Sequence, residues 1–123
     1  MIDHVSIPVS DLKTSAAFYE ALLATIGHHK LVERPETVGF GKQYPEFWLN
    51  LRPALTAAGI NDGFHVCLRA KSADVVDRFH AVALQHGGRC DGAPGLRPHY
   101  AGNYYAAFIR DADSNRIELV TFT

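Results

Sequence analysis

His4, His65 and Glu118 are of the types that hold a divalent metal ion, and each stands on a strand of the expected fold. Two imidazoles and one carboxylate, brought together from different strands, bind such an ion and leave coordination positions open. Water or a substrate oxygen fills those positions. The ion then acts as a Lewis acid or, if it is iron, activates oxygen. Zinc, nickel, manganese and iron all accept nitrogen and oxygen donors, so the donor set does not choose among them. The other reading makes the same three side chains hydrogen-bonded residues of a pocket without a metal.

A second tier of side chains surrounds this trio. Trp48 offers an apolar or stacking wall, or packs as core between sheets, and Asn50 lies beside it in the alternation. Cys67 falls two residues after His65 and reads as a small pocket hydrophobe more readily than as a nucleophile or soft ligand. Arg69 is suited to a carboxylate or phosphate, or else to a salt bridge. Residues 92–103 mix glycine, proline and basic residues. Within them Arg97 is a candidate anion binder, and His99 or Tyr100 a candidate acid–base or orienting group, with Tyr104 following. The plain alternative for that segment is a surface loop stiffened by prolines.

Strands must aim these groups, and the hydrophobic pattern supplies them. In residues 2–9, Val5, Ile7 and Val9 alternate with His4, Ser6 and Pro8, the period of a half-buried strand. Ser10 or Asp11 can cap a helix over 12–26, which Gly27 ends. Further strands are expected at 30–34, 36–41 and 46–52, where Trp48, Asn50 and Arg52 face away from Phe47, Leu49 and Leu51. A linker at 53–63 follows. Sixty-one residues after His4 the pattern returns: His65, Val66, Leu68, Phe79, Leu84 and Gly88 fall on His4, Val5, Ile7, Phe18, Leu23 and Gly27 with no gap. The second unit then reads as a strand at 64–70, a helix from Ser72 or Asp74 to about His86, a short strand at 89–91, the loop, and a hairpin at 104–110 and 115–122. Glu118 shares its face with Val120 and Phe122.

Each half is therefore a βαβββ module, residues 1–54 and 63–123 of a single domain, and the fold class is α+β. The helix covers one face of each sheet. The other face carries the polar and aromatic candidates, and such a face lines a cupped pocket closed by another sheet. Histidines 28, 29, 80 and 86 fall at helix ends or on helix surfaces and read as solvated.

The 123 residues carry 12 Lys and Arg against 13 Asp and Glu, for a net charge of −1, which lacks the basic footprint of a nucleic-acid binder. No apolar run approaches the roughly 18 residues of a membrane span. Asp3 and His4 stand where a signal peptide would be basic, and two cysteines are too few for a disulfide framework. The expected compartment is the cytoplasm.

Three segments also resemble a known family. DHVSIPVSDL with AAFYEALL, GFHVCLRA at the opening of the second module, and AAFIRDADSNRIELV at the end are similar to the vicinal oxygen chelate superfamily. That superfamily groups glyoxalases, bleomycin and fosfomycin resistance proteins, and extradiol dioxygenases. The resemblance implies paired βαβββ modules forming an open barrel, usually completed in a homodimer, with His4, His65 and Glu118 as metal ligands. It also implies that residues 95–100 cover a substrate. A site within one chain and one combining His4 of one subunit with His65 and Glu118 of another are both compatible with the sequence. Glyoxalase I-like members add a ligand Glu on the last strand of the first module. Trp48 stands there, which argues against a lactoylglutathione lyase. The leading expectation is a metal-dependent lyase, isomerase or dioxygenase acting on a small oxygen-chelating substrate. A binding protein of the bleomycin-resistance kind, without chemistry, is the alternative, and thiol-conjugating fosfomycin resistance a third.

Overall fold

The computed structural model describes residues 1–55 and 63–123; residues 56–62, within the linker expected at 53–63, lie outside the described residues. The first half runs β1 (Val5–Val9), α1 (Leu12–Ala24), β2 (His29–Glu33), β3 (Thr37–Gly41) and β4 (Phe47–Leu51). The second repeats the order with β5 (Val66–Arg69), α2 (Ala73–Gln85), β6 (Arg89–Leu96), β7 (Tyr104–Arg110) and β8 (Arg116–Phe122). The sheets have matching orders, β1-β4-β3-β2 and β5-β8-β7-β6. In both, the first strand pairs in parallel with the last, and the helix carries the chain from the first strand to the second at the far edge of the sheet.

The helix ends follow from local chemistry. Asp11 caps α1, its carboxylate accepting from the Thr14 amide at 3.2 Å and the Thr14 hydroxyl at 2.9 Å. Ser72 caps α2 through the Val75 amide at 3.3 Å. Both helices close in a left-handed residue that only glycine adopts cheaply, Gly27 at φ 77° and Gly87 at φ 93°. Each has the wrap-around bond of that turn, His28 N to Leu23 O and Gly88 N to Ala83 O. The repeat thus loses one residue by the helix end, because Gly27 matches Gly87 rather than Gly88. Gly88 has a packing reason to be glycine: a Cβ there would lie 2.9 Å from Ala83 O and 3.0 Å from the Phe18 ring.

A continuous core joins the halves. Phe18, Tyr19, Leu22 and Leu23 of α1 and Val75, Val76, Phe79 and Ala83 of α2 bury against the apolar strand faces, and the two helices touch. Emptying the Phe79 position, which is fully buried, would cost about 3–5 kcal/mol.

The halves are also pinned by polar bonds from the β7–β8 turn. Tyr19 OH donates to Asp111 at 2.6 Å, Ser10 donates to Asp113 through its amide at 3.0 Å and its hydroxyl at 2.6 Å, and the Asn115 amide donates to Pro8 O at 2.8 Å. With the helices packed together on one side, the modules sit side by side and the sheets do not close on one another.

Two expectations need correction. Strand β6 runs to Leu96, well into the segment expected to be loop. It is an edge strand with shifted pairing around Gly92 and Gly95, and an edge accommodates Pro94, whose missing N–H leaves no ladder bond open. His80 is not solvated at Nε2, which is buried and without a hydrogen-bond partner among the described residues, and desolvation lowers its pKa.

Candidate functional site

The second sheet gathers most of the candidate residues. The β5–β8 register sets Cys67 beside Glu118 and Arg69 beside Val120, while β7–β8 sets Phe108 on the other side of Glu118. Equal register in a sheet means a shared face. His65, one residue before β5, turns its Nε2 to Glu118 Oε1 at 2.9 Å. Tyr104 OH donates to Glu118 Oε2. The glutamate is 2% exposed.

That carboxylate has a neutral phenol and a titratable imidazole as hydrogen-bond partners, and no arginine or lysine bonded to it among the described residues. Two hydrogen bonds to a charged acceptor, at about 1.5–3 kcal/mol each, offset much of a burial cost of several kcal/mol. The balance is close, and the two bonds hold Glu118 in place. The donation requires the proton of neutral His65 to sit on Nε2. Burial, and then the Glu118 charge, push the Cys67 thiol up to about 12. Cys67 is therefore a thiol near neutral pH and not a ready nucleophile. Tyr104 is raised as well, by desolvation first and then by its bond to Glu118.

The ring of Phe108 forms the centre of this face. The His65 ring lies 5.8 Å from it, and the guanidinium carbons of Arg97 and Arg116 lie 5.7 Å and 4.2 Å from its centroid. Arg97 is fixed by donating to Gly95 O at 2.9 Å and Ala93 O at 2.8 Å. Glycine at 92 makes room, since a Cβ there would meet Phe108 at 3.0 Å and Arg97 at 3.2 Å. Arg116 and Arg110 share Asp91, at 2.7 Å and 3.1 Å. His99 and Tyr100 approach indirectly: His99 packs edge-on to Tyr100, and Tyr100 edge-on to Tyr104. Arg69 lies over Phe122 at 5.0 Å, at the far end of β5.

The first sheet holds the rest. His4 Nδ1 meets Asp3 Oδ1 at 2.7 Å, both side chains well exposed. A cleft of about 510 Å³ is lined by His4, Ser6, Arg34, Tyr44, Trp48 and Asn50 among others. Trp48 packs on Gly39, where a Cβ would come within 2.9 Å of the indole, and Arg34 sits 5.5 Å from its ring. The structure therefore brings His65 and Glu118 into contact but does not bond His4 to either. No group of three His, Cys, Asp or Glu side chains among the described residues is placed to hold a metal.

Arg116, Phe108 and Arg34 were not singled out in the sequence. The signal for Arg116 was present, since it precedes Glu118 by two residues and so shares its face. Phe108 had none, because its role depends on the β7–β8 register.

Chemically, the second-sheet face combines a buried carboxylate, an imidazole donor, and two arginines on a phenyl ring. Such a set can orient an oxygen-bearing ligand and hold a proton at His65. No helix of the described residues is long and apolar enough to cross a membrane.

Comparison with known proteins agrees with the architecture. A glyoxalase/bleomycin resistance protein from Albidiferax ferrireducens T118 is 31% identical, with a TM-score of 0.83 and 96% of each chain covered. A bleomycin-binding protein complexed with bleomycin matches at 21% identity and TM-score 0.66, covering 96% of this chain and 95% of the other. The fosfomycin resistance protein FosX from Listeria monocytogenes matches at 17% and 0.73, covering 100% and 93%. At those lower identities the likeness is one of fold. No curated protein matches the sequence. The family profile of the Glyoxalase/Bleomycin resistance protein/Dioxygenase superfamily matches residues 1–119. Over nearly its whole length, and in the order of strands and helices within each half, this chain belongs to that superfamily.

Proposed function

We propose that the protein is a metal-dependent enzyme of this superfamily, acting on a small substrate with an oxygen pair that can chelate the ion. One observation carries the reading: Glu118 is buried at 2% exposure, joined to His65 at 2.9 Å, with no permanent cation bonded to it among the described residues. Carboxylate oxygen and imidazole nitrogen are the donors that zinc, nickel, manganese or iron accepts. His65 and Glu118 would hold the ion, and His4 of a second copy would complete the set in a homodimer. A bound ion supplies Lewis acidity, or oxygen activation if it is iron. The chain's own residues do the remainder. Tyr104 fixes the Glu118 carboxylate, Arg97 and Arg116 attract an anionic or enolate-like oxygen beside Phe108, and Tyr100 with His99 covers Tyr104.

The test is elemental analysis of the purified protein beside Glu118→Gln, His65→Ala and His4→Ala. The expected result is about one ion per chain, lost in each variant. Mixing the His4→Ala and Glu118→Gln chains should restore some binding, because a mixed dimer rebuilds one intact site. Absence of any ion after reconstitution with each of the four metals would overturn the reading.

One observation favours a second reading, a protein that binds its ligand without chemistry. Trp48 lines the open first-sheet cleft together with His4 and Asn50, where its indole can contact a ligand. That reading requires no ion and predicts a change in Trp48 fluorescence on ligand binding.

A further inference from the structure

A separate cleft lies where the end of α1 meets the start of α2, at the seam between the modules. Its volume is about 660 Å³, within the usual range for small-molecule sites. Four cationic side chains line it: Lys42 after β3, Arg69 at the end of β5, Lys71 before α2, and Arg78 on α2. No aspartate or glutamate lines it. None of the four has an ion-pair partner among the described residues. In a chain with 12 basic and 13 acidic residues this is local segregation of charge, not the overflow of a basic protein. Ile26 and Val75 add an apolar floor.

The simplest alternative is that these cations neutralise the carbonyl end of α1. The hydrogen bonds limit that role. Leu22, Leu23 and Ala24 carbonyls already accept from the amides of Thr25, Ile26, Gly27 and His28, and the Thr25 hydroxyl also donates to Leu22 O at 2.6 Å. Arg78 donates to Thr25 O at 3.4 Å, and the Lys42 stem passes 3.7 Å from where a Gly27 Cβ would lie, with no hydrogen bond to the helix end among the described residues. Lys42 and Lys71 have no hydrogen-bond partner of that kind among the described residues. The start of α2 adds the positive end of its own dipole beside Lys71, and its one first-turn acid, Asp74, does not line the cleft.

We propose that this cleft binds a small phosphate-bearing polyanion. Arginine forks match phosphate oxygens, and lysines supply compact charge around them. Cationic side chains after β3, in the β5–α2 connection and on α2 outnumber what one carboxylate needs. The floor would receive the organic part of a phosphate ester. This proposal does not depend on the metal reading, since the cleft shares neither His65 nor Glu118.

The experiment is titration calorimetry with pyrophosphate and with ATP at low salt, alongside backbone amide NMR. Expected are saturable binding of one anion per chain, amide shifts at Gly27, Lys71 and Val75, and affinity that falls as salt is raised. The double variant Lys42→Gln/Lys71→Gln should bind at least about tenfold more weakly while melting as the wild type does. ATP binding tighter than pyrophosphate would assign an organic phosphate, and equal binding would assign inorganic polyphosphate. Failure to saturate at millimolar anion, shifts confined to Trp48 or His65, or unchanged affinity in the double variant would each overturn the proposal.

Discussion

Replacing Tyr19 with Phe removes a single oxygen, yet it should cost about 2 kcal/mol at neutral pH. Tyr19 is fully buried, and its hydroxyl donates to Asp111 Oδ2 at 2.6 Å. Asp111 is itself 2% exposed and is held by three other donors, the amides of Asp113 and Asn115 on Oδ1 and the Asn115 side chain on Oδ2, each at 2.9 Å. A hydrogen bond to a charged acceptor contributes about 1.5–3 kcal/mol, and its loss leaves the acceptor less well solvated. An unfolding entropy of about 2.1 cal/mol/K per residue gives about 0.26 kcal/mol/K for this chain, so the midpoint should fall by about 8 °C. The pH dependence gives a second, independent sign. Burial raises the Asp111 carboxyl above its ordinary value, and the Tyr19 bond is the largest influence lowering it. A raised carboxyl contributes stability that is present below its ordinary value and lost as pH rises through the folded value. Without Tyr19 OH the folded value moves higher still, so the variant regains ground on the wild type as pH falls through that window. Urea unfolding at pH 7 and pH 5 measures both effects. A variant within about 0.5 kcal/mol of wild type at pH 7, or a gap that widens in acid, would refute the reasoning.

Other positions offer smaller tests. Gly87→Ala places a Cβ at φ 93° and should cost about 1 kcal/mol, read as a fall in urea midpoint with unchanged slope. Gly39→Ala would push Trp48 off its seat, since the Cβ would come within 2.9 Å of the indole; a shifted Trp emission maximum should report it. Ser10→Ala removes the hydroxyl bond to Asp113 while sparing the amide bond, so a loss of about 1 kcal/mol by thermal melting is expected.

The period-2 alternation around His4, Trp48, His65 and Glu118 was enough to place these residues on the uncovered faces, because a strand has only two faces to choose from. Helix starts were legible to within two residues: Asp11 rather than Ser10 caps α1, and Ser72 rather than Asp74 caps α2. What the chain does not display is anything that depends on two segments meeting. Phe108 becomes the centre of the second face only through its register with Glu118. In the sequence, residues 111–114 show only as the join of the last hairpin, whereas in the fold Asp111, Asp113 and Asn115 reach back to Tyr19, Ser10 and Pro8. Strand β6 was missed beyond Asp91 because glycine and proline usually mark a loop, and an edge strand tolerates both. The donor trio was named from residue types, but the contact of His65 with Glu118, and the lack of a bond from His4 to either, belong to three dimensions.

The bonds from the last turn to the first module also bear on when this protein matures. They span 92, 103 and 107 residues of sequence. As the chain leaves the ribosome, β1 and α1 emerge with the Tyr19 hydroxyl and the Ser10 amide lacking their eventual acceptors. The apolar side of α1 likewise waits for α2 and the last hairpin. Closing such distant contacts is slow, and half-made chains with exposed apolar surface are the ones that associate wrongly. The first half is therefore a dependent of the second despite looking like its copy, and it should acquire protease resistance only once residues 111–115 have been released.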